Sequence, residues 1–403
     1  MLMTLVPLFD ESMTVKAYSL FAQKNSYFQN TRLANQEAVT VDGLDVIRSM
    51  GLKALADDKE VFVPLSPITI YSRFEEEKEA SPEKLVFLID HNIPPEEMYL
   101  KRIRELKEKG YQFAIRKLEV SEFQLYEPIL KLMDYIFLDC KRINISSARI
   151  FFGKLYPFIK LCAGNIDSYE TFEKLRKEGG YQFYEGPFYR MPVPKGQNEV
   201  MPLKINYIEL LNMVNNPDYE LSQAANIISR DTALALSLLK VVNRLARNSE
   251  IVSIKYAAAM LGQKELRRWI NTVVVDQLCS EKPNEITRLS LLRAKFAENL
   301  ASVFQLKMHE PELFLMGLFS VVDLILEVPM EKAMEMLKLS KEIQEVLIEH
   351  KGILNPVYEL MIQYENANWN EVSRLMLLQH IEIQDVYEAY THALEWYRDL
   401  FTN

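Results

Sequence analysis

Through the first half of the chain, short apolar runs of strand length alternate with segments whose apolar residues recur every three or four positions. The runs at 5–10 and 14–23 flank a short turn and predict a β-hairpin. The segment 42–57 is helical in pattern, with Leu44, Ile47, Leu52 and Leu55 on one face. Strands are predicted at 60–65 and 84–90. A charged amphipathic helix follows at 95–109, with Pro95 at its start and Gly110 after its end. The remaining order is strand 111–118, helix 122–133, strand 135–140, helix 144–153, strand 158–163, helix 168–178 and strand 181–184. Such alternation predicts a parallel sheet buried on both faces. Roughly eight strands in about 190 residues predict a closed barrel rather than an open sheet. The opening hairpin makes one of its pairs antiparallel.

Residues 188–202 break the pattern with Pro192, Pro194, Gly196 and Pro202. Beyond 203 the pattern is helical to the end. Ser222 and Asp231 are expected as N-caps, and Ser253 opens a helix that Gly262 closes. Further helices are expected at 204–215, 265–278, 285–306, 312–328, 331–339, 341–350, 356–365, 371–380 and 384–399. The predicted fold class is therefore α/β plus all-α. Its domains are a barrel at 1–191, a linker at 192–203 and a helical domain at 204–403.

Composition refines this picture without changing it. The chain has 403 residues, a net charge of −9 and 49% hydrophobic residues, enough for two cores. The acidic balance argues against broad nucleic-acid or anionic-membrane binding. Residues 1–9 lack a basic n-region, and the apolar stretch 313–326 is too short to span a bilayer, so a cytoplasmic protein is expected. The three cysteines, Cys140, Cys162 and Cys279, stand too far apart for metal-type spacing. Neither glycine-rich phosphate loop occurs. No His-Asp dipeptide and no G-x-S-x-G occurs either, and His309-Glu310 is followed by Pro311. Basic residues gather at Arg244, Arg247, Lys255, Lys264, Arg267 and Arg268, beside Trp269, which reads as a solvated helical face, with a nucleic-acid patch as the alternative.

Several segments resemble known families. Val6-Pro7-Leu8-Phe9-Asp10 followed by Ala17-Tyr18-Ser19-Leu20 resembles the opening of an EAL domain, the barrel that hydrolyses cyclic di-GMP. Asp134-Tyr135-Ile136-Phe137-Leu138-Asp139 and Gly180-Tyr181-Gln182-Phe183-Tyr184-Glu185-Gly186 are similar to later strands of that barrel. Ile228-Ser229, Asp231, Leu234, Leu238-Leu239, Val242-Asn243, Ala257 and Leu261-Gly262 resemble the signature of an HDOD domain, which has the HD helical fold without its metal residues. The resemblance covers nearly the whole chain and implies an EAL–HDOD signalling protein.

The resemblance also implies where an EAL site would stand. EAL enzymes hold two divalent metals with carboxylates and an asparagine, and hard cations need such oxygen ligands. The matching positions here are Tyr18, Pro64, Leu88, the pair Arg116-Lys117, Phe137, Gly164 and Glu185. Cations stand where an Asp-Asp pair would bind metal. The expectation is therefore a degenerate barrel that is not an enzyme, with no catalytic residues, no metal and no cofactor. Arg116 and Lys117 are candidates for contact with an anion at the barrel mouth, and the alternative is a solvated strand end or an internal salt bridge to Asp90 or Asp139. The function expected is a non-catalytic adaptor binding signalling proteins, with a homodimer possible. The alternative is a receptor that binds cyclic di-GMP or another nucleotide without hydrolysis.

Overall fold

The computed structural model of the chain describes residues 2–23, 47, 51–56, 58–72, 81–190, 202–216, 218–245, 251–278 and 284–401. Eight strands close a barrel in sequence order: β1 Leu2–Phe9, β2 Val15–Gln23, β3 Glu60–Pro64, β4 Leu85–Ile89, β5 Gln112–Ile115, β6 Tyr135–Asp139, β7 Lys160–Gly164 and β8 Phe183–Glu185. β1 runs antiparallel to both β2 and β8, and every other neighbouring pair is parallel. This is the expected barrel with its antiparallel opening pair. Helices between strands include α1 Leu52–Ala56, α2 Glu97–Glu108, α3 Glu127–Leu130, α4 Ile145–Leu155 and α5 Tyr169–Glu178. Asn144 caps α4 and Ser168 caps α5 through side-chain oxygens, each accepting a backbone N–H from the first turn.

Inside the barrel one side chain from each of several strands meets on the axis: Leu8, Ala17, Phe62, Val86, Leu88, Ala114, Tyr135, Phe137, Cys162 and Phe183 are all buried together. Phe62 lies edge-on to Tyr135, Phe137 and Phe183, with ring centres 5.2, 5.5 and 6.0 Å away. An eight-strand barrel is just wide enough for side chains to fill, and aromatic rings fill this one.

The chain divides into two compact units. The first joins Met1–Met191 to Lys295–Met308 and Pro356–Asn403; the second is Pro192–Ala294 with His309–Asn355. The expected helical domain at 204–403 is thus divided, because the last helices pack on β1. Leu2–Pro7 pair only with β2, so this end of the hairpin extends beyond its neighbours as a two-stranded ribbon. The Tyr364 hydroxyl accepts the Met3 N–H at 3.2 Å, and the Tyr390 hydroxyl lies 3.3 Å from Thr4 Oγ1. Phe296, Tyr364 and Tyr390 form one aromatic cluster, with Trp369 edge-on to Tyr364. Burial pushes the Tyr364 hydroxyl well above its ordinary pKa.

The second unit is helical throughout its described residues: α6 Pro202–Val214, α7 Leu221–Ile228, α8 Thr232–Leu245, α9 Ile254–Leu278, the first part of α10 Asn284–Val303, then α11 Glu310–Phe319, α12 Val322–Leu326, α13 Met330–Leu337, α14 Lys341–Gln344 and a π-helical turn at Glu345–Glu349. Asp231 caps α8 by accepting the Leu234 N–H at 3.0 Å, and Gly262, at φ 74°, interrupts α9 where a helix end is expected. Asn215 and Asn271 exchange amide hydrogen bonds at 3.0 Å across α6 and α9.

Four local expectations change. The helix at 122–133 is a 3₁₀ turn at Val120–Glu122 followed by α3, because Pro128 has no N–H and fits only a first turn. Ser222 is not a cap; α7 starts at Leu221, and the Ser222 hydroxyl donates to Glu220. The helix at 312–328 breaks after Phe319, where the Ser320 hydroxyl bonds to the Gly317 carbonyl. Residues 188–190, where the strand and helix pattern breaks, continue the barrel as a 3₁₀ turn with Phe188 and Tyr189 buried; 191–201, most of the helix expected at 42–57, and Cys279 fall outside the described residues.

Tyr364→Phe leaves the buried Met3 N–H without its acceptor. The expected cost is about 1–3 kcal/mol, read in chemical denaturation with an unchanged far-ultraviolet spectrum. An unaltered midpoint would show that the last helices do not support β1.

Candidate functional site

Side chains alternate along a strand, so the axis layer fixes which residues face inward one step further on. Above Ala17 stands Ser19, above Phe62 stands Pro64, and above Ala114, Cys162 and Phe183 stand Arg116, Gly164 and Glu185. Leu88 and Phe137 are already in the axis layer, with Asp90 and Asp139 beyond them. The positions that EAL resemblance implies on β3, β7 and β8, with Arg116 after β5, therefore face the barrel mouth, those on β4 and β6 lie in the axis layer, and two positions point elsewhere. Tyr18 has the opposite parity, and Ser19 takes the inward place on β2. Ser19 is fully buried and its Oγ has no hydrogen-bond partner among the described residues. Lys117 also has the opposite parity to Arg116 and adopts a left-handed φ of 63°.

Arg116 occupies the mouth. Its backbone N–H still bonds to Ile89 at 3.0 Å, and its guanidinium reaches across to the β8 carboxylate of Glu185, with Nη2 3.0 Å from Oε1 and 3.2 Å from Oε2. The guanidinium also lies over the rings of Phe21 and Phe137, 4.9 and 5.3 Å from their centres. Both charged side chains are largely buried, at 16% and 6% exposed. Lys117 pairs with Asp90 at 3.2 Å, while Asp90 also accepts the Asn92 N–H. Both cations thus sit in internal ion pairs. Glu185, which sequence reasoning did not single out as a partner, takes Arg116, and Asp90 takes Lys117.

Asp139, one step beyond Phe137 on β6, is committed to local structure. It accepts the Lys141 N–H at 2.8 Å and the Asn165 amide at 2.7 Å, with Arg142 3.7 Å away. A two-metal site needs several oxygen ligands converging on two ions. Here the ring is serine, proline, leucine, arginine, phenylalanine, glycine and a glutamate already held by arginine. No group of three or more potential metal-binding His, Cys, Asp or Glu side chains occurs among the described residues. These residues do not fit a pair of divalent cations.

The two described cysteines are poor nucleophiles. Burial, then Asp139 and Asp167, push the Cys140 thiol up to about 11. Burial, with Glu185 next, pushes the Cys162 thiol well above its ordinary value. Tyr135, stacked on the Phe183 ring and bonded to Lys160 Nζ at 3.1 Å, is also raised by burial.

Arg116→Leu strands the Glu185 charge in the barrel and is expected to cost about 3–5 kcal/mol. Arg116→Leu/Glu185→Leu is expected to recover most of that loss; equal denaturation midpoints for the single and double variants would contradict the pairing. The folded chain keeps the Cys140 proton that an unfolded thiol releases near pH 8.5. This thiol's stabilising contribution is therefore complete below about pH 8.5 and is lost as pH rises toward 11. Alkylation of native Cys140, followed by mass spectrometry, should keep accelerating up to about pH 11; a plateau by pH 9 would contradict it.

Comparison with known proteins places these features. The family described as HDOD domain matches residues 201–351. The chain is 27% identical over 326 residues to the cyclic di-GMP phosphodiesterase CdgJ of Vibrio cholerae, covering 79% of this chain and 74% of that protein. It is 27% identical over 415 residues to the uncharacterized protein YuxH of Bacillus subtilis, covering 98% and 97%. A solved structure of the Bacillus subtilis YkuI protein, which has an EAL domain and was determined with cyclic di-GMP and calcium, aligns at 14% identity and TM-score 0.36 over 66% of this chain and 72% of that one. Residues 201–351 match the HDOD family, and a closed eight-stranded barrel precedes them.

Proposed function

We propose that this chain is a non-catalytic member of cyclic di-GMP signalling, an adaptor whose barrel and HDOD domain present surfaces to partner proteins. The observation that carries this reading is the Arg116–Glu185 pair. A guanidinium, buried between two aromatic rings and neutralised by a carboxylate, occupies the place where the fold's chemistry needs a metal cluster. The similarity to CdgJ supports the signalling context and, by that protein's name, pulls toward hydrolysis. The residues at the mouth pull the other way, because among the described residues a water nucleophile finds no cluster of metal ligands and the nearest carboxylates, Glu185, Asp90 and Asp139, already hold hydrogen-bond partners. Binding without hydrolysis is a weaker reading, since both mouth cations already have carboxylate partners. A cytoplasmic location belongs to the same proposal; among the described residues no helix is long and apolar enough to cross a membrane.

Incubation with cyclic di-GMP and Mg²⁺ or Mn²⁺ is expected to yield no linear dinucleotide above the protein-free control. Calorimetry with cyclic di-GMP is expected to show neither heat nor thermal stabilisation. Linear product that disappears in Asp139→Ala would overturn the non-catalytic reading. Heat of binding without turnover would replace the adaptor with a receptor.

A further inference from the structure

The second unit carries a surface at odds with the rest of the chain. Between residues 232 and 268 there are seven basic and two acidic residues, in a chain of net charge −9. Two of those basic side chains are tied down. Arg267 lies over the Tyr219 ring, 5.4 Å from its centre, and Arg268 lies 4.9 Å from the centre of Phe314. Lys240, Lys255 and Lys264 are exposed and make no ion pair among the described residues.

Large apolar side chains stand among these lysines. Val252 is 76% exposed, Tyr256 62%, Leu236 55% and Met260 45%. Tyr256 and Met260 are one helical turn apart on the first part of α9, and Val252 immediately precedes that helix. On α8, Leu236, Lys240 and Asn243 share one face at i, i+4 and i+7. Asn243 clamps the loop residue Ile251 by two hydrogen bonds, of 2.8 and 2.6 Å, which sets Val252 beside that face. Leu236 on α8, and Val252, Tyr256 and Met260 before and along the first part of α9, thus expose apolar surface, with Lys240, Lys255 and Lys264 exposed on the same two helices. Single exposed apolar residues need no explanation, whereas a contiguous row edged by charge marks an interaction surface.

We propose that this face of the HDOD domain docks an acidic amphipathic helix of a partner protein. Apolar residues of the incoming helix at i, i+4 and i+7 would cover Val252, Tyr256 and Met260, and flanking Asp or Glu would meet Lys240, Lys255 and Lys264. Charge complementarity decides the occupant. A second copy of this acidic chain would bring this same basic face in an isologous contact and would set lysine against lysine. This deepens the adaptor reading by naming the surface and the partner's chemistry, but it does not depend on the barrel being inert.

The test uses the full chain and a fluorescent synthetic helix with leucines at i, i+4 and i+7 and glutamates on both flanks. Controls are the same helix with lysine flanks, the glutamate helix with its leucines replaced by glutamine, and oligothymidylate. The acidic amphipathic helix alone is expected to raise anisotropy. Tyr256→Ala and Lys255→Glu are each expected to weaken it by about tenfold without moving the melting temperature. Raising ionic strength from about 0.05 to about 0.5 M should weaken it further. Equal binding of the lysine helix, preference for oligothymidylate, insensitivity to both substitutions, or self-association abolished by Tyr256→Ala would each overturn the proposal. Turnover of cyclic di-GMP would instead overturn the inert barrel and leave this surface standing.

Discussion

A closed barrel of eight strands must fill its own interior, and that constraint governs the N-terminal half of this chain. Phe62, Tyr135, Phe137 and Phe183 occupy the axis, so no water-filled channel runs through it. The layer above faces the same demand with less apolar material. Arg116 meets it by laying its guanidinium over two rings and bonding to Glu185 on the far strand. The pair is a packing solution as much as an electrostatic one. It couples β5 to β8 across the mouth, so the chemistry of the site and the closure of the fold are held by the same two side chains. The ion pair neutralises itself, so neither charge needs a bound counter-ion.

Much of this was legible in the sequence because the determinants are local. The strand and helix alternation, the antiparallel opening pair, the cap at Asp231 and the helix break at Gly262 all follow from short-range periodicity or backbone preference. The cationic end of β5 was equally plain, because Arg116 and Lys117 follow an apolar run. Their partners were not, since pairing of Arg116 with a residue 69 positions away depends on how the barrel closes. The inward position on β2 was placed one residue early, at Tyr18 rather than Ser19. A two-residue period makes that single step the difference between the mouth and the outer wall.

The division of the helical half was hidden for a related reason. Periodicity shows that 356–365 and 384–399 have apolar faces, but not which surface those faces meet. Tyr364 and Tyr390 look like ordinary core tyrosines in sequence, yet they grip β1 through its Met3 amide and Thr4 hydroxyl. The HDOD match at 201–351 ends before these helices, in accord with their packing in the other unit.

That arrangement has a consequence for synthesis. The first strand leaves the ribosome hundreds of residues before its partners, which lie 361 and 386 positions along the chain. Loop closure over such distances is slow and becomes possible only once residues 364 and 390 have been made. Until then the ribbon at Leu2–Pro7 has an uncovered apolar edge, a site for mispairing or for chaperone capture. The barrel can begin to assemble early, but its opening strand is completed last. Completion of this barrel therefore waits on Tyr364 and Tyr390.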